Sequence, residues 1–328
     1  MRKSPSIKMI KQWLIDKNPF NAFTHNTNFE IKDIDPKSWS GHFNFLVTTE
    51  QRRFVLRLKG PEWGEPTKGV LDEYKILKFV ERYKTGPMVY YLNKNFFGEP
   101  MILEEYLEGK LLNKISEEKQ KKLFPEVVKF IAKLNRIPVI KNALPFREPM
   151  LSYKKNLISW QQRLKIILSN IKTRELGKKI EKLMPKAEKM LQSFEPRLRR
   201  IIRTNGLAFI FESAHIGHCM KMKDGFRFLN WEQISYGDPS YTLAVFFASI
   251  SSRPDFIEIK EMLIKEYLKF NPLPEFTELI EQRLKEREIS NLIWVLWTYV
   301  DRKDTRPVEK ITNVAERMRS IENILNQY

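Results

Sequence analysis

The chain has 328 residues, 42% of them apolar and 12% aromatic, long enough to bury a large core and too apolar to remain disordered. Lys and Arg outnumber Asp and Glu by 58 to 40, and the net charge of +18 invites an anionic partner without saying anything about fold. A single cysteine, Cys219, excludes an internal disulfide, and apolar runs such as 241–250 and 291–300 reach only half of the ~20 residues of a membrane span, so no membrane partner is expected.

The first 18 residues alternate charged with apolar side chains and lack the apolar core of a secretory signal, which together with the lone cysteine points to the cytoplasm. The spacing of Ile7, Ile10, Trp13 and Leu14 predicts an amphipathic helix over 6–16. A strand over 41–47, a turn at Gln51-Arg52 and an alternating strand over 53–59 follow. A connector at 60–66, rich in Pro and Gly, leads to a helix over 68–82 that carries Glu73, and then to strands over 86–91 and 100–106 around an Asn93-Lys94-Asn95 turn. From Ser116 the pattern is helical at 117–135, 153–170, 173–192 and 196–204. Residues 208–244 break it with a strand, a tight turn, two short strands around Lys223-Asp224-Gly225 and a third from Phe226 to Trp231. The loop Gly237-Asp238-Pro239 then starts a helix. Helices at 254–270, 274–299 and 307–326 complete the chain, which has no internal repeat. The expected division is an N-lobe of residues 1–108 and a helical C-lobe of residues 109–328, the latter with a basic helical insertion at 151–205.

Two stretches carry a specific pattern. One is Leu103-Glu104-Glu105-Tyr106-Leu107-Glu108-Gly109; the other runs from Ala208 through Trp231-Glu232 and Gly237-Asp238-Pro239 to Leu243-Ala244. Over roughly residues 40–249 the chain resembles the aminoglycoside phosphotransferase and choline kinase family, the small-molecule branch of the protein-kinase-like fold. The resemblance implies an α+β, two-lobed architecture with a small mixed sheet in the N-lobe and a mostly helical C-lobe. It also implies a phosphate-covering turn at Gly41 and Asn44, a phosphate-pairing base at Arg57 with its carboxylate partner Glu73, and backbone contacts to an adenine near Glu105 and Leu107. The family pattern is broken elsewhere. Phe211, Glu212 and Ser213 stand where it has His, Gly and the catalytic Asp. His218 stands for a metal-binding Asn, Asn230 for the metal-binding Asp before Trp231, Asn135 for a His, and Thr242 for an Asp before Leu243.

Ser213 has no carboxylate and cannot act as a base near neutral pH, and losing a general base costs on the order of 10²–10⁴ in rate. Mg²⁺ prefers hard anionic oxygens, whereas Asn230 offers a neutral amide and His218 a softer nitrogen. His42, His215 and His218, with Cys219, are donors suited to a borderline metal, but His-x-x-His is a weak signal that reads rather as polar side chains filling a vacated cleft, and no metal is expected. Glu212 adjoins the lost base but points to the opposite face of an extended segment. These substitutions predict a catalytically degenerate binding or scaffolding protein; the alternative is a weak phosphotransferase on an anionic or neutral small molecule. No cofactor is required, and at most weak, metal-independent ATP binding is expected. The insertion holds 15 Lys or Arg against four Glu. Lys178, Lys179, Lys182, Lys186 and Lys189 read as a solvated helix face, while Arg197, Arg199, Arg200 and Arg203 form a denser anion surface for an acidic protein or nucleic acid. Nothing in the sequence sets the oligomeric state.

Overall fold

The structure, a computed structural model, describes residues 4–19, 28–34, 42–60, 69–147, 149–304, 307–308, 311 and 313–328. Gly41 and most of the 60–66 connector lie outside the described residues. The chain forms two compact units, one of Met1–Lys114, Ile140–Pro145 and Gly217–Gln233, the other of Ile115–Val139, Phe146–Ile216 and Ile234–Tyr328.

The first unit begins with α1 (Ile7–Lys17), whose N-terminus is capped by the Ser6 hydroxyl accepting the Met9 N–H at 3.2 Å. A five-stranded antiparallel sheet follows, ordered β1-β2-β3-β5-β4, from β1 (Phe29–Asp33), β2 (His42–Thr49), β3 (Arg53–Lys59), β4 (Val89–Phe96) and β5 (Glu99–Glu105). α2 (Gly69–Val80) packs with it. Alternation along the strands divides the sheet's residues between two faces. Phe43, Phe45, Leu56, Leu58, Met101 and Leu103 join α1 in an apolar core. The intervening His42, Asn44, Arg57 and Glu104 occupy the other face, with Asn44 opposite Arg57 in the β2–β3 register. The strand β6 (Lys110–Leu111) pairs with β8 (Cys219–Met222), and β8 with β9 (Gly225–Phe228).

The hairpin turn expected at Asn93–Asn95 lies instead at Phe97 and Gly98, where φ values of +49° and +89° match the twist of the flanking strands. The asparagines serve a different purpose: their side chains accept the N–H groups of Asn95 and Gly98 and shape the irregular register between Asn93 and Phe96.

The second unit is largely helical: α3 (Glu117–Asn135), α4 (Lys154–Ser169), α5 (Arg174–Asn205), α6 (Tyr241–Ala248), α7 (Phe256–Phe270), α8 (Phe276–Asp301) and α9 (Val314–Leu325). The helices expected at 173–192 and 196–204 are one, since α5 continues through Pro185 and Pro196. Each internal proline costs about 3 kcal/mol. The buried stripe of Ala187, Met190, Leu191, Phe194, Leu198 and Ile201 offsets that, at about 1.5–3 kcal/mol for each large side chain. A short ribbon pairs β7 (Ala208–Phe211) with β10 (Ile234–Gly237), a strand the sequence did not signal. No helix among the described residues is long and apolar enough to cross a membrane.

Candidate active site

In the first unit one guanidinium gathers the polar face of the sheet. Arg57 donates from Nε to Glu73 Oε2 at 2.7 Å, from Nη1 to Asn44 Oδ1 at 3.2 Å and from Nη2 to Asn230 Oδ1 at 3.0 Å. His42 Nδ1 lies 3.2 Å from Nη2. A guanidinium carries only donors, so His42 accepts there and holds its ring proton on Nε2, which faces Glu232 at 3.5 Å. Glu73 sits on the buried stripe of α2 beside Val70, Ile76 and Val80, and its second oxygen accepts the Trp231 N–H at 3.1 Å. That bond pins a strained neighbour, because Asn230 has φ +66°, a left-handed conformation Asn tolerates better than most residues. Trp231 is fully buried, donates from Nε1 to Phe228 O at 2.7 Å, and comes so close to Gly86 that a Cβ there would meet its ring at 2.4 Å. Thus Asn44, Arg57, Glu73 and Asn230 share one cluster, and Glu104, which the sequence did not single out, lies beside them on β5.

Burial works against the Arg57 charge, but Glu73, Glu104 and Glu232 outweigh it and hold its pKa above the ordinary value. Burial and the neighbouring Glu73 carboxylate push Glu104 up to about 8 against the pull of Arg57. The cluster therefore carries its own cation. The family resemblance implies a Mg²⁺ ion held by the side chains at 218 and 230, and the residues present do not fit it. Asn230 offers one neutral oxygen, already accepting from Arg57, and position 218 an imidazole. Among the described residues no group of three or more His, Cys, Asp or Glu could hold a metal ion. Burial raises the Cys219 thiol well above its usual range, leaving it unreactive.

Further along, the Glu105 N–H donates to Met88 O at 2.8 Å, and its carboxylate accepts the Met88 N–H at 3.1 Å. Leu107 is buried and accepts from Gly109 N at 3.1 Å. Arg53 stacks over Tyr106 and pairs with Glu108 at 2.6 Å, clamping the strand end.

In the second unit, Ser213 is buried in the turn after β7, and its carbonyl accepts the His215 N–H at 2.8 Å. Glu212 is tied to Arg147 at 3.2 Å. Burial, helped by Arg287, lowers the His215 pKa and favours the neutral ring. The two substituted positions 135 and 242 support each other. Thr242 Oγ1 accepts the Phe211 N–H at 3.2 Å and an Asn135 amide hydrogen at 3.4 Å, while Asn135 also donates to Phe209 O at 2.8 Å and accepts from Tyr267 at 2.9 Å. Asp238 accepts from Ser240 N at 2.8 Å and Ser240 Oγ at 2.7 Å and pairs with the fully buried Arg283, which stacks over Tyr153.

The arginines of α5 are mostly committed within the unit. Arg197 and Arg200 hold Glu275 at 3.0 and 2.6 Å, pulling its carboxyl down to about 2, and Arg199 holds Glu195 at 3.0 Å. Arg203 is exposed near the end of the helix.

Comparison with known proteins agrees with this architecture. The sequence matches the phosphotransferase enzyme family over residues 35–279. No curated protein matches it in sequence. The fold is similar to that of a choline kinase from Cryptosporidium parvum Iowa II, with TM-score 0.70 and 16% identity over 98% of this chain and 96% of that one. It is also similar to a choline kinase from Streptococcus pneumoniae, at TM-score 0.64 and 14% identity over 98% and 99%. A spectinomycin phosphotransferase solved with ADP and spectinomycin gives 0.58 and 11% over 96% of both chains. With the family matched over most of its length and the kinase-like fold shared with these structures, this chain belongs to the phosphotransferase enzyme family, of the aminoglycoside phosphotransferase and choline kinase kind.

Proposed function

We propose that this family member is catalytically silent and works as a binding or scaffolding protein. The observation that carries the reading is Asn230, a neutral amide whose oxygen accepts from the Arg57 guanidinium at the position where the family resemblance expects a carboxylate on Mg²⁺. Ser213 supports it from the second unit, since a hydroxyl has no basicity at neutral pH with which to take an acceptor proton. Glu212 does not replace that base, because Arg147 engages its carboxylate at 3.2 Å. Nucleotide affinity is weak and metal-independent on this reading. To reach a phosphate, Arg57 would have to give up Asn44 or Asn230, and the nearby Glu73 and Glu232 carboxylates oppose a polyphosphate.

The test is turnover. With ATP, Mg²⁺ or Mn²⁺, and a panel of amine, hydroxyl and acidic acceptors, the purified chain is expected to release no acceptor-dependent ADP. Ser213→Asp alone is expected to remain inactive, because base and metal ligands act as a unit. Multiple turnovers by the native chain that disappear in Asn230→Ala would overturn the reading.

A further inference from the structure

We propose that the turn between α4 and α5, together with the outer lysines of α5, docks on the surface of an anionic lipid bilayer. The turn presents Ile171 at 81% exposure. Its shape does not depend on that side chain. Asn170 Oδ1 accepts the Lys172 N–H at 2.9 Å, the buried Thr173 hydroxyl donates to Ile167 O at 2.7 Å, and Arg174 Nε donates to Leu168 O at 3.2 Å. These ties hold the turn in one conformation with its isoleucine outward. Ile166, in the last turns of α4, is a second exposed apolar side chain at 43%, next to the exposed Lys165.

Behind this tip, Lys178, Lys182, Lys186 and Lys189 recur at i, i+4, i+8 and i+11 along α5, on the face opposite the buried stripe of Ile180, Ala187, Leu191 and Phe194. At 1.5 Å per residue the row extends over about 16 Å. Glu275 and Glu195 take up two of the three charges of Arg197, Arg199 and Arg200, so the lysine row toward the tip end is the larger block of uncompensated charge on the helix. Glu175 offsets only Lys178, at 2.9 Å. A nucleic acid or an acidic protein would reward the lysines alone. An isoleucine held in water at the leading turn of the same hairpin is rewarded by a surface that is anionic outside and apolar beneath, which is what headgroups and acyl chains provide. The lack of a spanning helix bears on crossing a bilayer, not on lying against one.

Co-sedimentation of the full chain with vesicles tests this. Binding is expected to vesicles of phosphatidylcholine mixed with phosphatidylglycerol, not to phosphatidylcholine alone, and is expected to weaken as salt rises. Ile171→Ser should lower partitioning by about tenfold or more, and each of Lys178→Ser and Lys182→Ser by about fivefold. All three positions are exposed, so the folded state survives these changes. Because Cys219 is buried, Ile171→Cys supplies an accessible thiol for an environment-sensitive dye, whose emission should shift to the blue on the mixed vesicles. Absence of binding, equal binding to both vesicle types, or an unshifted dye would overturn the proposal. So would tighter binding to a single-stranded RNA that the lysine changes weaken and Ile171→Ser leaves unchanged, which would assign the face to nucleic acid.

Discussion

Glu104 is the residue whose ionisation the first unit accommodates least. Its folded pKa of about 8 stands above the ordinary 4.5, so the folded state binds a proton that the unfolded state releases. The associated stability is present below pH 4.5 and is lost as the pH rises through about 8. Glu104→Gln keeps the shape and removes the charge. The variant is expected to gain about 1–2 kcal/mol over the native chain at pH 8.5 and little at pH 5, measured by urea unfolding at both pH values. Equal differences at the two pH values would show that Glu104 is already ionised in the fold. Arg57 and Glu73 are visible in the sequence as a strand cation and a helix carboxylate. That Asn44, His42 and Asn230 surround the same guanidinium is less visible. It requires the β2–β3 register, which sets Asn44 opposite Arg57, and a left-handed backbone at Asn230 that no local pattern announces.

At the scale of elements, β7 hangs on α3 and α6 through substituted side chains. Thr242 on α6 receives the Phe211 N–H and Asn135 on α3 donates to the Phe209 carbonyl, so two neutral residues hold a strand for which the resemblance expects a His and an Asp. Thr242→Val, nearly isosteric, would remove that buried hydrogen bond and is expected to cost about 1–3 kcal/mol in unfolding free energy, with Thr242→Ser costing less than half as much. A neutral Thr242→Val would mean that Phe211 finds another partner. Helices were the most legible elements because their apolar periodicity is long. The β4–β5 turn departs from the expectation because Asn93-Lys94-Asn95 has turn chemistry but uses it to shape a strand irregularity, leaving Phe97 and Gly98 to supply the positive φ values. The strand β10 gave no signal, since Ile234–Gly237 takes its extended form from pairing with β7 and from Met150, whose N–H donates to the Tyr236 carbonyl at 2.8 Å. Pro196 opens the second of the two expected helices, yet burial on one face of α5 keeps a single helix.

At the scale of the whole chain, a protein that supplies its own cation should not sense an added one. Millimolar Mg²⁺, with or without ATP, is expected to leave the melting temperature of the native chain unchanged, because a ligand raises stability only in proportion to its binding to the folded state. A rise of more than about 2 °C with Mg²⁺ and ATP together over ATP alone would show a functioning metal–nucleotide site.

The first unit is assembled from three separated stretches of sequence, the last ending at Gln233. On a ribosome, the sheet that ends at Glu105 emerges with Arg57 and Glu73 already made, but Asn230, Trp231 and Glu232 follow only after the 124 residues from Tyr106 to Leu229. At about 5–20 residues per second that interval is on the order of ten seconds. During it, the charged face of the nascent sheet lacks the groups that later enclose it. The order of synthesis thus leaves the N-terminal third of this chain without part of its own unit until late in translation, and it makes any truncation before residue 217 a loss for the first unit as well as the second.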